Sequence, residues 1–230
     1  QMTAMLRYFQ MDNNLLTGSI PSNNLVGSLP TELGLLTSTM RRFFVDNNSL
    51  TGTLPSELGQ MTAMLSDFRI RNNLLTGSIP SELGQMTAMT SEFQIQGNLL
   101  TGSIPSELGQ MAAMLSGFRI YNNLLTGSIP SELGSLTSMT YMFALHENSL
   151  TGLVPSELGR LTAMTYSFEL HSNQLCGEVP SEVTALSSAV TTDWRVATAN
   201  SLGTPCCETL PALYTCAPTI IPSPTPTSPI

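Results

Sequence analysis

Apolar positions along this chain follow a short spacing that repeats, not the long stripe of a surface helix. Phe stands at Phe9, Phe43, Phe68, Phe93, Phe118, Phe143 and Phe168, and two residues after each comes Met11, Val45, Ile70, Ile95, Ile120, Leu145 or Leu170. This F-x-[IVLM] alternation puts both side chains on one face of a short strand. Five residues after each Phe lies an Asn, and seven after each Asn lies a Pro. From Pro55 onward these Pro, at Pro80, Pro105, Pro130, Pro155 and Pro180, keep a constant step of 25. The Gly of the intervening L-T-G admits a left-handed or closely approached backbone. The Pro closes a second extended segment, because it has no N–H for a ladder. P-S-E-L-G then reads as one helical turn, with Ser near its start and Gly stopping it. The M-T-A-M positions that follow supply flexible apolar filler for an interior.

A fixed period of this length is the mark of a solenoid, whose coils bury their apolar faces on one another. Strands of successive coils would pair in parallel, about 4.8 Å apart. Each Asn would sit where the chain leaves its strand, its amide satisfying backbone groups of its own and the next coil. This ladder comprises Asn14, Asn48, Asn73, Asn98, Asn123, Asn148 and Asn173. The full unit, F-x-[IVLM]-x-x-N-x-L-x-G-x-[ILV]-P-x-E-L-G-x-[ML]-T-x-[MT], resembles the leucine-rich repeat, with Phe in one Leu position. Its LTGxIPxxLGxL segment resembles the plant-type subfamily of receptor ectodomains and secreted inhibitors of cell-wall-degrading enzymes; secreted algal proteins carry similar repeats. The resemblance covers about residues 1–205. It implies an α/β repeat solenoid, a right-handed leucine-rich-repeat superhelix with a parallel β-sheet on its concave face. About seven 25-residue coils and a distorted terminal coil are expected. The period is one residue longer than is usual in the family. The extra residue lies between Met64 and Phe68, and reads as a bulge leading into the strand.

The pattern breaks at both ends. Pro21 and Pro30 are only nine residues apart, too few for a coil, which points to an insertion near residues 15–24. Asn23 and Asn24 would imitate the ladder Asn without joining it. The chain begins inside a unit, since Gln1-Met2-Thr3 matches Gln60-Met61-Thr62. An uncovered solenoid end is unfavourable. The expectation is therefore a fragment of a longer chain or an end covered by a second subunit, with self-association through it. Residues 1–175 read as the solenoid and 176–216 as a cap, in which Trp194, Val196, Asn200, Leu202 and Pro205 trace the last coil. The cap holds all four cysteines, Cys176, Cys206, Cys207 and Cys216. An even number at a solenoid end reads as two disulfides, and hence as an oxidising compartment. Three connectivities are possible. Cys176–Cys206 with Cys207–Cys216 is favoured, because adjacent cysteines rarely pair with each other. Residues 217–230 form a Pro/Ser/Thr-rich tail, similar to the O-glycosylated stalks of cell-wall proteins. Its candidate O-glycan sites are Thr219, Ser223, Thr225, Thr227 and Ser228, and Asn47 in Asn47-Asn48-Ser49 is the candidate N-glycan site.

Composition narrows the function. The net charge is −8, the pI about 4.6, and all eight basic residues are Arg. This argues against nucleic acid, whose binding rests on cationic contacts to phosphate. No apolar run is long enough to span a membrane. No Ser-His-Asp order, G-x-S-x-G, P-loop or paired catalytic carboxylates are present, so no enzyme and no cofactor are expected. The strand positions that point outward vary from coil to coil, as a binding face does. Ligand-binding candidates are Arg42, Phe44, Arg69, Arg71, Gln94, Arg119, Tyr121, His146, Glu169 and His171. Arg69, Arg71, Arg119 and Tyr121 would make a central patch for an acidic or sugar ligand, with Phe44 an exposed aromatic. His146 and His171 occupy one position in neighbouring coils, near Glu147 and Glu169. That could hold a metal ion, but solvated histidines are the simpler reading, so no metal is expected. Glu32, Glu57, Glu82, Glu107, Glu132, Glu157 and Glu182 form an acidic edge. An acidic edge apart from a basic sheet face would suit head-to-tail association. Thr51, Thr76, Thr101, Thr126 and Thr151, with Ser78, Ser103 and Ser128, stack into a hydroxyl array that resembles an ice-binding face. The leading expectation is a non-enzymatic secreted protein of an extracellular matrix, cell wall or glycosylated fibre. It would act through protein or glycan contacts and self-assembly. The alternative is a monomeric recognition module that binds a protein or glycan on the concave sheet; a minor one is ice binding.

Overall fold

The structure, a computed structural model, describes residues 8–10, 25–36 and 41–206. Asn14, the insertion near 15–24, Cys207, Cys216 and the tail with Thr219, Ser223, Thr225, Thr227 and Ser228 lie outside the described residues. Eight strands form one parallel sheet in chain order: Tyr8–Gln10, Arg42–Phe44, Ser66–Arg69, Ser91–Gln94, Ser116–Arg119, Tyr141–Ala144, Tyr166–Glu169 and Trp194–Arg195. Every pairing sets Phe against Phe until the last, where Trp194 takes that place against Phe168. The rings from Phe43 to Phe168 are fully buried and stack with centroids 5.3–5.7 Å apart, and Trp194 continues the stack at 5.1 Å. Met61, Met64, Met86, Met89, Met111 and Met114 fill the interior beside them with no exposed surface.

The extra residue of the period sits inside the strand rather than before it. Ser66 pairs with Ser91 and Phe68 with Phe93, while Asp67 and Glu92 between them turn left-handed (φ 56 and 58). Gly117, Met142 and Ser167 do the same in the next three coils. Because each of these coils carries the same kink, their strands remain in register. A left-handed backbone costs a residue with a Cβ about 1–2 kcal/mol, and only Gly117 escapes that cost.

Opposite the sheet, Thr31–Leu35, Ser56–Gln60, Ser81–Gln85, Ser106–Gln110, Ser131–Ser135 and Ser156–Arg160 are five-residue 3-10 turns, each preceded by Pro. The Ser residues do not cap these turns; Ser56, Ser81, Ser106, Ser131 and Ser156 each donate to the neighbouring Glu carboxylate. Nor does Gly stop the turn. Gly59, Gly84, Gly109 and Gly134 lie within it, where a Cβ would collide with the carbonyl of Glu82, Glu107, Glu132 or Glu157 in the next coil. Close stacking of coils, not backbone handedness, requires Gly there. The only α-helix among the described residues is Ser181–Ala185.

The break near the amino end resolves into a register. Val26–Gly27 pairs with Ser49–Leu50, and the Leu25 N–H donates to Asn48 Oδ1, as the Leu50 N–H donates to Asn73 Oδ1. Pro30 therefore stands in register with Pro55, and the nine extra residues fall between Gln10 and Leu25. At the other end a Cys176–Cys206 disulfide joins strand Gln174–Gly177 to the residues after strand Ser201–Leu202. Asn200 acts as a further ladder residue: its Oδ1 accepts from Leu175 N–H at 3.1 Å and its Nδ2 donates to Leu170 O at 3.0 Å. The distorted terminal coil thus keeps the ladder of the regular ones.

Candidate functional site

The sheet face is held rigid from behind. Asn98 shows how: its Oδ1 accepts from Leu75 N–H (3.2 Å), and its Nδ2 donates to Ile70 O (3.2 Å) and Ile95 O (3.0 Å). Asn73, Asn123, Asn148 and Asn173 repeat this bonding, each tying its own coil to the preceding one. Asn48 lies in the same row. The ladder therefore ties backward to the preceding coil and not, as expected from sequence, to the next.

On the outer face, side chains of one coil meet those of the next. Arg42 and Arg69 both pair with Asp67, Arg71 pairs with Asp46 at 3.2 Å, and Arg119 pairs with Glu92 at 3.0 Å. Gln94 also donates to Glu92. The expected basic patch is therefore neutralised from within, and the face is not segregated from acidic groups. Opposite charges on adjacent strands stand within reach of each other, and each pair shields both partners. Phe44 is half-buried, with the Arg69 guanidinium 5.0 Å above its ring, and so is not the exposed aromatic anticipated. Gln94 and Glu169, expected to face a ligand, are buried, as is Gln96 two residues after Gln94.

Farther along, Tyr121, His146 and His171 stack, with centroids 4.3 and 4.5 Å apart and rings within 11° of parallel. Glu169 Oε2 lies 3.6 Å from His146 Nδ1 and 3.8 Å from His171 Nδ1, and each histidine side chain is only 12% exposed. They are shielded rather than solvated. Burial lowers the pKa of His146 below its ordinary 6.5, against the opposing pull of Glu169. No hydroxyl among the described residues is hydrogen-bonded to Nδ1 of either histidine. Asn47 lies at the border of the face, with its Nδ2 donating to Asp46 and its Oδ1 accepting from Asn72 Nδ2, both at 2.8 Å. The amide nitrogen expected to carry an N-glycan is thus engaged in the face.

The arrangement offers a ligand charged groups that can exchange an internal partner for an external one, beside a ledge of stacked rings. The flank differs. Thr76, Thr101 and Thr126, with Ser78, Ser103 and Ser128, are exposed, and a groove of about 1060 Å³ runs past Ser103, Pro105, Ser128 and Pro130. Its lining is the same residues returning coil after coil.

No family model matches the chain, and no curated protein matches it either. Solved structures do. One is the leucine-rich-repeat ectodomain of the plant membrane receptor kinase GASSHO1/SCHENGEN3 from Arabidopsis thaliana in complex with CASPARIAN STRIP INTEGRITY FACTOR 2. It is 38% identical, with TM-score 0.71, over 79% of this chain and 21% of that one. The plant peptide hormone receptor RGFR1 in complex with RGF2 is 33% identical, with TM-score 0.70, over 78% of this chain and 27% of that one. A plant ice-binding protein shares the fold at 24% identity and TM-score 0.65, over 79% of this chain and 56% of that one. The chain spans about a fifth of the first receptor ectodomain and about a quarter of the second.

Proposed function

We propose that this chain, which belongs to the plant-type leucine-rich-repeat family, is a non-catalytic recognition module that takes an extended peptide or protein segment across its parallel sheet. The observation that carries this is the contrast within each coil. Phe, Asn, Leu and Gly return unchanged, while the sheet-face positions change from Arg69 and Arg71 to Gln94 and Gln96, then to Arg119 and Tyr121. A uniform scaffold with one varying face suits selective contact better than catalysis. Two structural neighbours support a peptide or protein ligand over a glycan, one being a peptide hormone receptor and the other an ectodomain in complex with a named factor. The Cys176–Cys206 disulfide supports an extracellular setting. No helix among the described residues is long and apolar enough to cross a membrane. The expectation of a self-assembled fibre rests partly on residues 1–7 and 217–230, which lie outside the described residues, and partly on an acidic edge set apart from a basic sheet face, a contrast that the ion pairs of Arg42, Arg71 and Arg119 on that face weaken.

The test is selection of binders from a library of random peptides, followed by substitution. Arg119→Ala and Tyr121→Ala should each weaken the selected peptides, while Thr101→Ala and Glu107→Gln on the flank should not. Selected peptides that lose affinity only with the flank substitutions would contradict the proposal.

A further inference from the structure

We propose that His146, His171 and Glu147 form a binding site for one divalent transition-metal ion on the sheet face, with Glu169 orienting the two imidazoles. One ligand atom from each of the three lies within 4.8 Å of the other two. The coil repeat brings the histidines together from positions 25 residues apart, each two residues past the end of adjacent paired strands. Glu147 follows His146 at a left-handed residue (φ 54) where the chain leaves the sheet, and is exposed while the histidines are shielded. Two imidazoles and a carboxylate suit Zn²⁺, Ni²⁺ or Cu²⁺; Ca²⁺ and Mg²⁺ prefer oxygen ligands alone.

Glu169 supplies an independent observation. A metal-bound imidazole usually gives its other ring N–H to a carboxylate, which fixes the tautomer and the ring's direction. Here one carboxylate oxygen faces both Nδ1 atoms, at 3.6 and 3.8 Å, and neither Nδ1 has a hydrogen-bond partner. An ion on the opposite ring nitrogens would set both Nδ1–H groups toward Glu169, a small closure away from hydrogen bonds. The rings are stacked within 10° of parallel, so they must tilt toward each other. In a tetrahedral site with bonds of about 2.1 Å, the ligand nitrogens stand about 3.3–3.4 Å apart. Solvent on the Glu147 side leaves room for a water or for a ligand carboxylate. The site goes beyond peptide recognition, because it exists whether or not a peptide binds.

The untagged full chain should be titrated with zinc sulfate by calorimetry. One ion per chain is expected. His171→Asn should abolish this binding, Glu147→Gln should weaken it, and Glu169→Gln should weaken it about 10–100-fold as an orienting residue does. Thr101→Val should leave it unchanged, and circular dichroism checks that each variant is folded. Electron paramagnetic resonance of Cu²⁺ bound to the unaltered chain reads the ligands without any substitution, and coupling to two imidazole nitrogens is expected. No stoichiometric zinc binding, binding retained in a His146→Asn/His171→Asn double variant, or a copper spectrum with fewer than two imidazoles would overturn the site.

Discussion

The sheet face and the flank are both ladders built by the same 25-residue step, yet they solve the stacking of polar groups in opposite ways. Along the flank identical residues fall on one another. Glu82, Glu107 and Glu132 follow the turn-leading Pro in successive coils, each accepting from its own Ser hydroxyl. Like charges about 5 Å apart repel by about 0.8 kcal/mol even in water, so an identical charged row is tolerable only where water screens it. Along the face the residue changes at each step, which lets Asp46 meet Arg71 and Glu92 meet Arg119. Variation permits shielding, and shielding holds the side chains in place until a ligand displaces a partner. The flank has a groove of about 1060 Å³ but no distinguishing chemistry; the face owns the chemistry.

Several substitutions sharpen that contrast. The largest effect is expected behind the face. Asn98→Leu leaves Leu75 N–H without its acceptor, at about 1–3 kcal/mol for a buried group left unsatisfied, and removes one of the two amide donors to Ile70 O and to Ile95 O, which keep Asn73 and Asn123. Urea unfolding reads the loss. On the flank, Gly84→Ala should come next. Its Cβ meets backbone of the following coil, and overpacking of this kind costs about 1–3 kcal/mol. Gly84 is not among the left-handed glycines, so the cost comes from the neighbouring backbone and not from its own conformation. On the face, acidification should be visible. Because the pKa of His146 is lowered in the folded chain, the unfolded chain binds its proton first as pH falls through about 6.5. Stability from this group is therefore present above that value and is lost below it, down to the folded pKa. His146→Asn should flatten the change in melting temperature between pH 7 and pH 5. Gln96→Met should be near neutral despite full burial, since its Oε1 has no partner to lose. Thr101→Val, exposed on the flank, should fall within about 0.5 kcal/mol of the parent.

Much of the scaffold was legible because identity itself recurs. Phe93, Ile95, Asn98 and Pro105 each have counterparts one period away, and alternation places the first two inward. The place of the ladder residues follows from where they leave the strand, but the coil they tie to, the preceding one, does not. What could not be read was exposure on the outer face. Whether Gln94 is open depends on Arg69 and Arg119, which are 25 residues away in either direction, and sequence spacing states that neighbourhood without stating how long side chains fold over it. The ion pairs were hidden for the same reason: Asp46 and Arg71, for example, are 25 residues apart in the chain. Two signals in the sequence mark features of the backbone. Gly117 occupies the position of Asp67 and Glu92, and Gly97 that of Asn72 and Asn122, and all six are left-handed. A Gly in a slot held in neighbouring coils mostly by polar residues marks a backbone position. Likewise Pro30, one period before Pro55, marked the register that the phrase ending in Pro21 obscured.

The chain has only two histidines, His146 and His171, and both stack on the sheet face. Their ring resonances are a built-in reporter of that face, separate from the flank. A selected peptide should be titrated into the metal-free protein while these resonances are followed by NMR. Recognition on the sheet requires that at least one ring shift in step with binding and saturate with it. Saturable binding that leaves both rings unmoved, and is lost with Thr101→Ala or Glu107→Gln, would move the site to the flank and contradict the account.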